Sequence, residues 1–362
     1  MKNKNKAYNI IFVTISMTGG GTERVIATLS DHWCSRGLNV RILMIGGEDI
    51  AYELDDRIDI KAISKATGGD MIGRINRLSS LRNEIKKDPS AVVIAMGTVA
   101  AMFTCLSMFG LKNRLIVSER NDPNRLNHRP IKSHEKALRD VLYSTADKIV
   151  FQTKMAKQCF PGYIQKKGTI VMNPLRDDIP EVTDYLQKKK VIMTAGRLTE
   201  QKNHKLLIDA FLKIANDYPE YKLEIYGEGE YFEELSSYIK NKNAGELVEL
   251  KGFNSKLLQT MCASRIYVSS SDWEGISNSL AEAMACGMTV IATDCPMGGS
   301  AMLIKNKDNG ILTKVGDVDG LSYALKEILT DDRLAQTISE NAVGIRNALS
   351  VENIAGQWEE LF

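Results

Sequence analysis

The chain has 362 residues, 44% of them hydrophobic and 25% charged, with a formal net charge of +2. That length predicts two domains, and the composition is that of an ordinary soluble protein with no low-complexity tract or short repeat. The small net charge hides an asymmetry: residues 1–187 carry 28 Lys and Arg against 20 Asp and Glu, whereas residues 188–362 carry 19 against 25. A basic half joined to an acidic half points to an anionic partner for the first half; chance spread of surface charge gives the same sums.

The N-terminal MKNKNK followed by YNIIFVTISM imitates a secretory leader, but Asn9, Thr14 and Ser16 interrupt the apolar run and no small-residue cleavage site follows. The segment is read as a first β-strand, Tyr8–Thr14. Further strands are predicted at 40–45, 58–63, 91–96, 114–118 and 148–151, with helices between them, among them 23–36 and 71–86. The 21 uncharged residues Ala91–Leu111 are long enough to span a bilayer. However, AVVIAM has the pattern of a buried strand, Gly97-Thr98 makes a turn, and the remainder continues as an apolar helix. From Asn173-Pro174 to Lys190 the periodicity stops, and 176–190 reads as a linker. Alternation then restarts with strands at 191–195, 222–226, 247–250, 266–269, 289–293 and 310–313, and helices at 205–216, 231–240, 280–286 and 321–329. The expected fold is α/β: two doubly wound domains, residues 1–175 and 191–345, each a parallel sheet covered on both faces, facing one another across a cleft. Residues 346–362 read as a C-terminal helix that crosses back to the first domain.

In such sheets ligands bind beyond the carboxyl ends of the strands, and four segments occupy such positions. Thr18 to Arg24 (TGGGTER) frees backbone N–H groups at a helix start for an anion, or is a flexible turn. In Gly196 to Asn203 (GRLTEQKN), Arg197 offers a fork of donors and Lys202 a point charge, both suited to a diphosphate; two solvated surface cations are the plainer reading. Asn203 is a good N-cap for the next helix. Tyr226 to Glu230 (YGEGE) permits close approach of a planar group, or is an ordinary turn. Ser271 to Glu282 (SDWEGISNSLAE) sets Glu274 before a helix and the N–H groups of Gly275, Ile276, Ser277 and Asn278 at its start, with Glu282 in its first turn. Ser279 and Glu282 also fit a capping box, which accounts for Glu282 without any ligand.

Six cysteines, at 34, 105, 159, 262, 286 and 295, show no CxxC spacing, which excludes a zinc ribbon or a thioredoxin-type motif; they read as thiols of a reducing compartment. The histidines at 32, 128, 134 and 204 form no metal-ligand pair on a helix face, and Asp55-Asp56 reads as a solvated turn. A basic stretch, Arg120–Arg139, holds His128, His134, Arg125, Arg129, Lys132 and Lys136. It suits an anionic acceptor or membrane surface, and equally a solvated helix face.

The order of these segments resembles retaining glycosyltransferases of GT-B fold, specifically glycosyltransferase family four, which builds bacterial surface polysaccharides and lipid-linked oligosaccharides. Glu274 and Glu282 match its Glu-x7-Glu, and EAMACG follows as in the family. Gly196-Arg197-Leu198 with Lys202 match its GRL-x-x-x-K, and Gly20-Gly21-Thr22-Glu23 its GG-x-E loop. Ser118 to Pro123 (SERNDP) looks like a segment of members acting on surface glycans. One departure is Met302, where a glutamate is common.

The resemblance implies catalytic roles for Arg197, Lys202 and Glu274. It implies donor binding by Gly20, Gly21, Gly227, Phe253, Gly275, Ile276, Ser277, Asn278 and Glu282. Acceptor contacts are expected from Glu119, Arg120, Asn121, Arg125 and Arg129. The expected reaction moves a hexose or N-acetylhexosamine from a UDP-sugar to a glycan acceptor, carried on a polyprenyl diphosphate. It proceeds with retention and needs no metal ion or other cofactor. Nucleic acid is not an expected partner. The expected place is the cytoplasm, with peripheral contact at the inner face of an anionic membrane. Rival readings are a nucleotide-sugar epimerase of the same fold, a silent glycan-binding or scaffold protein, and a Rossmann dehydrogenase, the last disfavoured because no GxGxxG with a following acid is present.

Overall fold

A computed structural model describes residues 9–64, 71–126 and 129–362. The MKNKNK start and His128 lie outside the described residues. The chain divides into two compact units, Met1–Pro174 with Val351–Phe362, and Leu175–Ser350.

Among the described residues, the first unit holds nine strands: β1 (Asn9–Thr14), β2 (Asn39–Met44), β3 (Asp59–Ala62), β4 (Val92–Met96), β5 (Leu115–Glu119), β6 (Arg125–Leu126), β7 (Arg129–Pro130), β8 (Lys148–Phe151) and β9 (Gly168–Ile170). Seven of them form one parallel sheet in the order β3-β2-β1-β4-β5-β8-β9, while β6 and β7 pair antiparallel. The direction of the crossovers explains why the central strands are apolar throughout. From β1 the chain moves to β2 on one side; from β3 it returns through β4 and β5 to β8 on the other. Right-handed crossovers therefore place the helix Gly21–Ser35 on one face and the helices Met71–Lys86, Thr98–Ser107 and Ser133–Tyr143 on the opposite face. Every residue of β4 is buried, as a strand covered on both sides must be. The Ala91–Leu111 segment is thus strand, glycine turn and helix, and no described helix is long and apolar enough to cross a membrane. The last helix, Val351–Glu359, packs within this unit against Gly21–Ser35. Glu359 accepts from Trp33 Nε1 (3.0 Å) and Arg36 (2.6 Å), and Phe362 meets the Trp33 ring edge-on at 5.4 Å.

The second unit has one parallel sheet of six strands: β10 (Lys189–Ala195), β11 (Lys222–Tyr226), β12 (Val248–Gly252), β13 (Ser264–Ser269), β14 (Thr289–Thr293) and β15 (Ile311–Thr313), in the order β12-β11-β10-β13-β14-β15. The chain runs outward from β10 in both directions, so the loops after β10 and β13 leave the sheet at its topological switch point, where such sheets bind ligands. The stretch 176–190 differs from the expected linker. Tyr185 and Lys188 are buried in this unit and β10 starts at Lys189. Lys188 donates to the carbonyls of Cys262 and Cys286, both at 2.8 Å, which anchors the segment through a polar contact that apolar periodicity does not reveal. The three-residue edge strand β9 and the β6–β7 hairpin were also not expected from the sequence; both are too short for a periodic signal.

Candidate functional site

In the second unit the loops after β10 and β13 are tied together. Gln201 Nε2 donates to the Trp273 carbonyl (2.7 Å), Asp272 N to the Gln201 carbonyl (2.9 Å), and Ser270 Oγ to the Lys202 carbonyl (2.9 Å). Asn203 adopts the left-handed conformation at φ 39°, caps the next helix by accepting from Leu206 N, and donates to Asp272 (2.9 Å). Four hydrogen bonds between the two loops therefore fix where Lys202 and Glu274 sit.

Those two meet directly: Lys202 Nζ lies 2.5 Å from Glu274 Oε2, which also accepts from Ser271 Oγ at 2.9 Å. Burial works against the Lys202 ammonium, but the Glu274 carboxylate with Tyr267 outweighs it and holds the lysine pKa above its ordinary value, while Arg197 opposes. Arg197 is exposed immediately beyond β10. Its cationic neighbour Lys202 is paired with Glu274, whereas Arg197 makes no ion pair among the described residues. His204 adds no charge. It is 3% exposed, neither ring nitrogen has a hydrogen-bond partner among the described residues, and burial with the Lys202 charge pushes its pKa down to about 3.

Beside this corner the helix Asn278–Ala285 begins. Its N-cap is Ser277, whose Oγ accepts from Leu280 N, and not Ser279 as a capping box with Glu282 required. Tyr267, buried on β13, donates to Ser279 Oγ at 2.9 Å and reaches the Ala195 carbonyl at 3.1 Å, which removes Ser279 from capping and binds the helix start to the end of β10. Glu282 therefore lies a full turn into the helix and is 3% exposed, so capping does not account for it. Sequence reading missed Tyr267; the available signal was a hydroxyl-bearing aromatic in the otherwise apolar run of β13, which needs a partner when buried.

Two glycines set backbone against backbone. A Cβ on Gly299 would lie 1.6 Å from the Gly275 carbonyl oxygen, so the turn before Met302 packs directly on the loop that follows Glu274. Gly227, at φ 132°, would place a Cβ 1.9 Å from the Gly196 carbonyl oxygen. Its glycine is required first by packing of β10 and β11 loops, and only secondarily leaves room for a planar ligand. Phe253, after β12, is 75% exposed, and Met302 is half-buried.

In the first unit the Gly20 carbonyl accepts from Tyr52 OH at 2.8 Å, Gly19 has φ 105°, and the Glu23 carboxylate folds back over Gly20, where a Cβ would lie 2.3 Å from its Oε2. Beyond β5, Glu119 is 1% exposed and accepts from Thr98 Oγ1 (2.8 Å) and Tyr143 OH (2.9 Å). Burial raises its carboxyl pKa, with Arg139 opposing. Its carboxylate is thus engaged inside the unit rather than turned to an acceptor. Arg120 is 8% exposed, bonded to the neutral Asn173 Oδ1 and Ser118 Oγ, with Nε unpartnered among the described residues; burial lowers its pKa to about 10 against the pull of Glu119. Asn121 is exposed, Arg125 is 3.8 Å from Asp122, and Arg129 makes a two-pronged pair with Glu135 at 2.9 and 2.6 Å. No group of three or more His, Cys, Asp or Glu is placed to hold a metal ion among the described residues.

Residues 176–344 match the family model described as Glycosyl transferases group 1. Over 345 residues the chain is 24% identical to an uncharacterized glycosyltransferase of Haemophilus influenzae, covering 94% of this chain and 96% of that one. It is 29% identical to the N-acetylgalactosamine-N,N'-diacetylbacillosaminyl-diphospho-undecaprenol 4-alpha-N-acetylgalactosaminyltransferase of Campylobacter jejuni subsp. jejuni, covering 90% and 92%. Among solved structures, HepE of Anabaena in complex with UDP and glucose superposes with a TM-score of 0.83 at 19% identity, over 98% of both chains.

Proposed function

We propose that this chain moves a hexose or N-acetylhexosamine from a UDP-sugar to a glycan on a polyprenyl diphosphate, because residues 176–344 match the family model described as Glycosyl transferases group 1 and the two Rossmann-like units have the GT-B fold. The product serves surface polysaccharide or glycoconjugate synthesis, and the enzyme works at the cytoplasmic side of the membrane. One observation carries the reading. Beside the start of a helix, Lys202 is paired with Glu274, while the exposed Arg197 makes no ion pair among the described residues, so its charge is open to the diphosphate of a donor.

The sugar C1–O bond to the diphosphate breaks and UDP leaves with the electron pair. A C1–O bond to the acceptor hydroxyl forms on the same face, and the hydroxyl proton passes to the departing diphosphate oxygen. Arg197 and Lys202 neutralise that oxygen as charge develops on it, and with the helix end they take the place of a metal ion. Glu274 orients Lys202 and meets the donor sugar; Glu282 binds ribose hydroxyls; Gly227 and Phe253 border the base; Gly275, Ile276, Ser277 and Asn278 offer backbone N–H groups. Arg120 with Asn121 of the first unit meets the acceptor. The HepE complex with UDP and glucose supports the donor class. The diphospho-undecaprenol substrate in the name of the Campylobacter relative supports the acceptor class.

The test is the anomer of the product formed from an α-linked UDP-sugar and a short prenyl diphosphate glycan, followed by NMR. An α-linked product supports retention, and a β-linked product overturns it. Release of a new sugar nucleotide from donor alone would replace transfer by epimerisation.

A further inference from the structure

The six cysteines carry no spacing motif, yet the fold of the second unit brings two of them together. Cys262 ends the helix Leu257–Cys262, and Cys286 is the C-cap of the helix Asn278–Ala285. Lys188 Nζ donates to both of their carbonyls at 2.8 Å, so the two backbones meet at one ammonium. The Cys286 thiol lies against its neighbour's helix: Sγ is 3.6 Å from the carbonyl of Leu258, one turn before Cys262. A disulfide needs Cα atoms within about 7 Å and Cβ atoms that face one another. A shared ammonium, and one thiol laid on the other's last turn, keep the pair within reach of that geometry.

The surroundings treat the two sulfurs differently. The Cys286 thiol, Lys188 and Arg346 favour a thiolate at Cys262 against burial, and hold its pKa below the ordinary value. Cys262 itself, burial and Glu282 raise the pKa of Cys286, with Lys188 opposing. Elsewhere burial wins: it pushes Cys105 up to about 11 and Cys295 up to about 12. One thiol favoured as thiolate beside another kept as S–H is the division between an attacking and a resolving cysteine. Their cover is thin. Cys262 is 4% exposed beneath Pro180, whose carbonyl lies 4.0 Å from its Sγ and accepts from Arg346 at 2.5 Å. Val182 rests on Gly287, where a Cβ would lie 2.6 Å from Val182 Cγ1. Residues 176–184 contain no helix or strand and mostly face solvent, so hydrogen peroxide, little larger than water, needs only this strap to lift.

We propose that Cys262 and Cys286 form a peroxide-sensitive oxidation site, closed reversibly to a disulfide that staples the two helix ends. The Cys262 thiolate attacks one peroxide oxygen; the S–O bond forms, the O–O bond breaks and hydroxide leaves, giving a sulfenic acid. The Cys286 sulfur then attacks the Cys262 sulfur. The S–S bond forms, the S–O bond breaks, and the departing hydroxide takes the Cys286 proton to become water. The two sulfurs give up two electrons and the peroxide accepts them. A dithiol reverses the bridge by exchange. The inference stands apart from the proposed function, because its readout is the linkage itself.

The test is peptide mapping of the full chain, reduced, then held in millimolar hydrogen peroxide, alkylated and digested without reductant. One Cys262–Cys286 cross-linked peptide should appear and vanish again with dithiothreitol. The oxidised chain should melt about 5 °C higher than the reduced one. In Cys286→Ala a dione probe should trap the sulfenic acid on Cys262, and in Cys262→Ala it should trap none on Cys286. Lys188→Met should slow bridging about tenfold. Both thiols left reduced in native wild type while the part-exposed Cys159 is oxidised would overturn the proposal. So would a bridge from either to another cysteine, or one that forms only in denaturant. Trapping on Cys286 in Cys262→Ala overturns the choice of Cys262 as the attacking thiol.

Discussion

The two sheets use their carboxyl ends differently. In the second unit, the loops after β10 and β13 are held by five hydrogen bonds, one of them the Lys202–Glu274 pair, yet Arg197 remains exposed and makes no ion pair among the described residues. In the first unit, polar residues in the same topological position are consumed internally: Glu119 by Thr98 and Tyr143, and Arg129 by Glu135. A corner with rigid supports and uncompensated charge is built to receive an anion, whereas a satisfied network is built to hold shape. Arg120 departs from this pattern: it is a buried guanidinium with neutral partners.

The sharpest way to break this contrast is Lys202→Met. It removes half of the diphosphate charge and leaves Glu274 partly buried without its partner. We expect turnover to fall about 100-fold and stability to fall by about 3 kcal/mol. The double variant Lys202→Met/Glu274→Gln should regain the stability but not the turnover, which separates chemistry from structure. If turnover returns with stability, the pair is only a structural clasp.

A smaller effect separates the arginines of the first unit. Arg120→Gln should raise the acceptor KM about tenfold, the loss of one charge-assisted contact, with little change in donor KM. Arg129→Ala should change neither by more than about twofold, since an exposed pair already occupies its guanidinium. Equal effects from both would erase the distinction between a guanidinium with neutral partners and one paired with a carboxylate.

The smallest effect concerns Lys188, which joins the ends of the helices Leu257–Cys262 and Asn278–Ala285 through the Cys262 and Cys286 carbonyls. Burial lowers its pKa to about 8, below the unfolded value of 10.5. The folded protein therefore releases this proton between pH 8 and 10.5 while the unfolded chain keeps it, so this residue adds stability as pH rises through that window. The thermal midpoint of wild type relative to Lys188→Met should climb by a few degrees, roughly, from pH 7 to pH 10. A constant difference across that range would mean the lysine is not desolvated.

Much of this was legible in the sequence because it is local. AVVIAM, GRLTEQK and EGISNSLAE each carry their structural meaning within ten residues, and the strands they predict are present at β4, β10 and β13. What escaped depends on contacts between distant segments. Ser277 and Ser279 both suit an N-cap, and the choice is made by Tyr267 on another element, which takes the Ser279 hydroxyl. The ties of Glu119 come from Thr98 and Tyr143, and those of Lys188 from residues more than 70 positions away. No local pattern encodes such partners, so an exposed-looking SERNDP segment and a linker-like 176–190 turned out to contain buried, bonded side chains.

The central claim is that the Arg197–Lys202 corner receives a uridine diphosphate. Its most direct test is the thermal midpoint of wild type and Arg197→Ala with UDP, GDP and an adenine dinucleotide at equal concentration. Stabilisation of wild type by UDP above the others, and its loss in Arg197→Ala, is the predicted result. Stabilisation by the adenine dinucleotide alone, or an undiminished UDP response in Arg197→Ala, would contradict it.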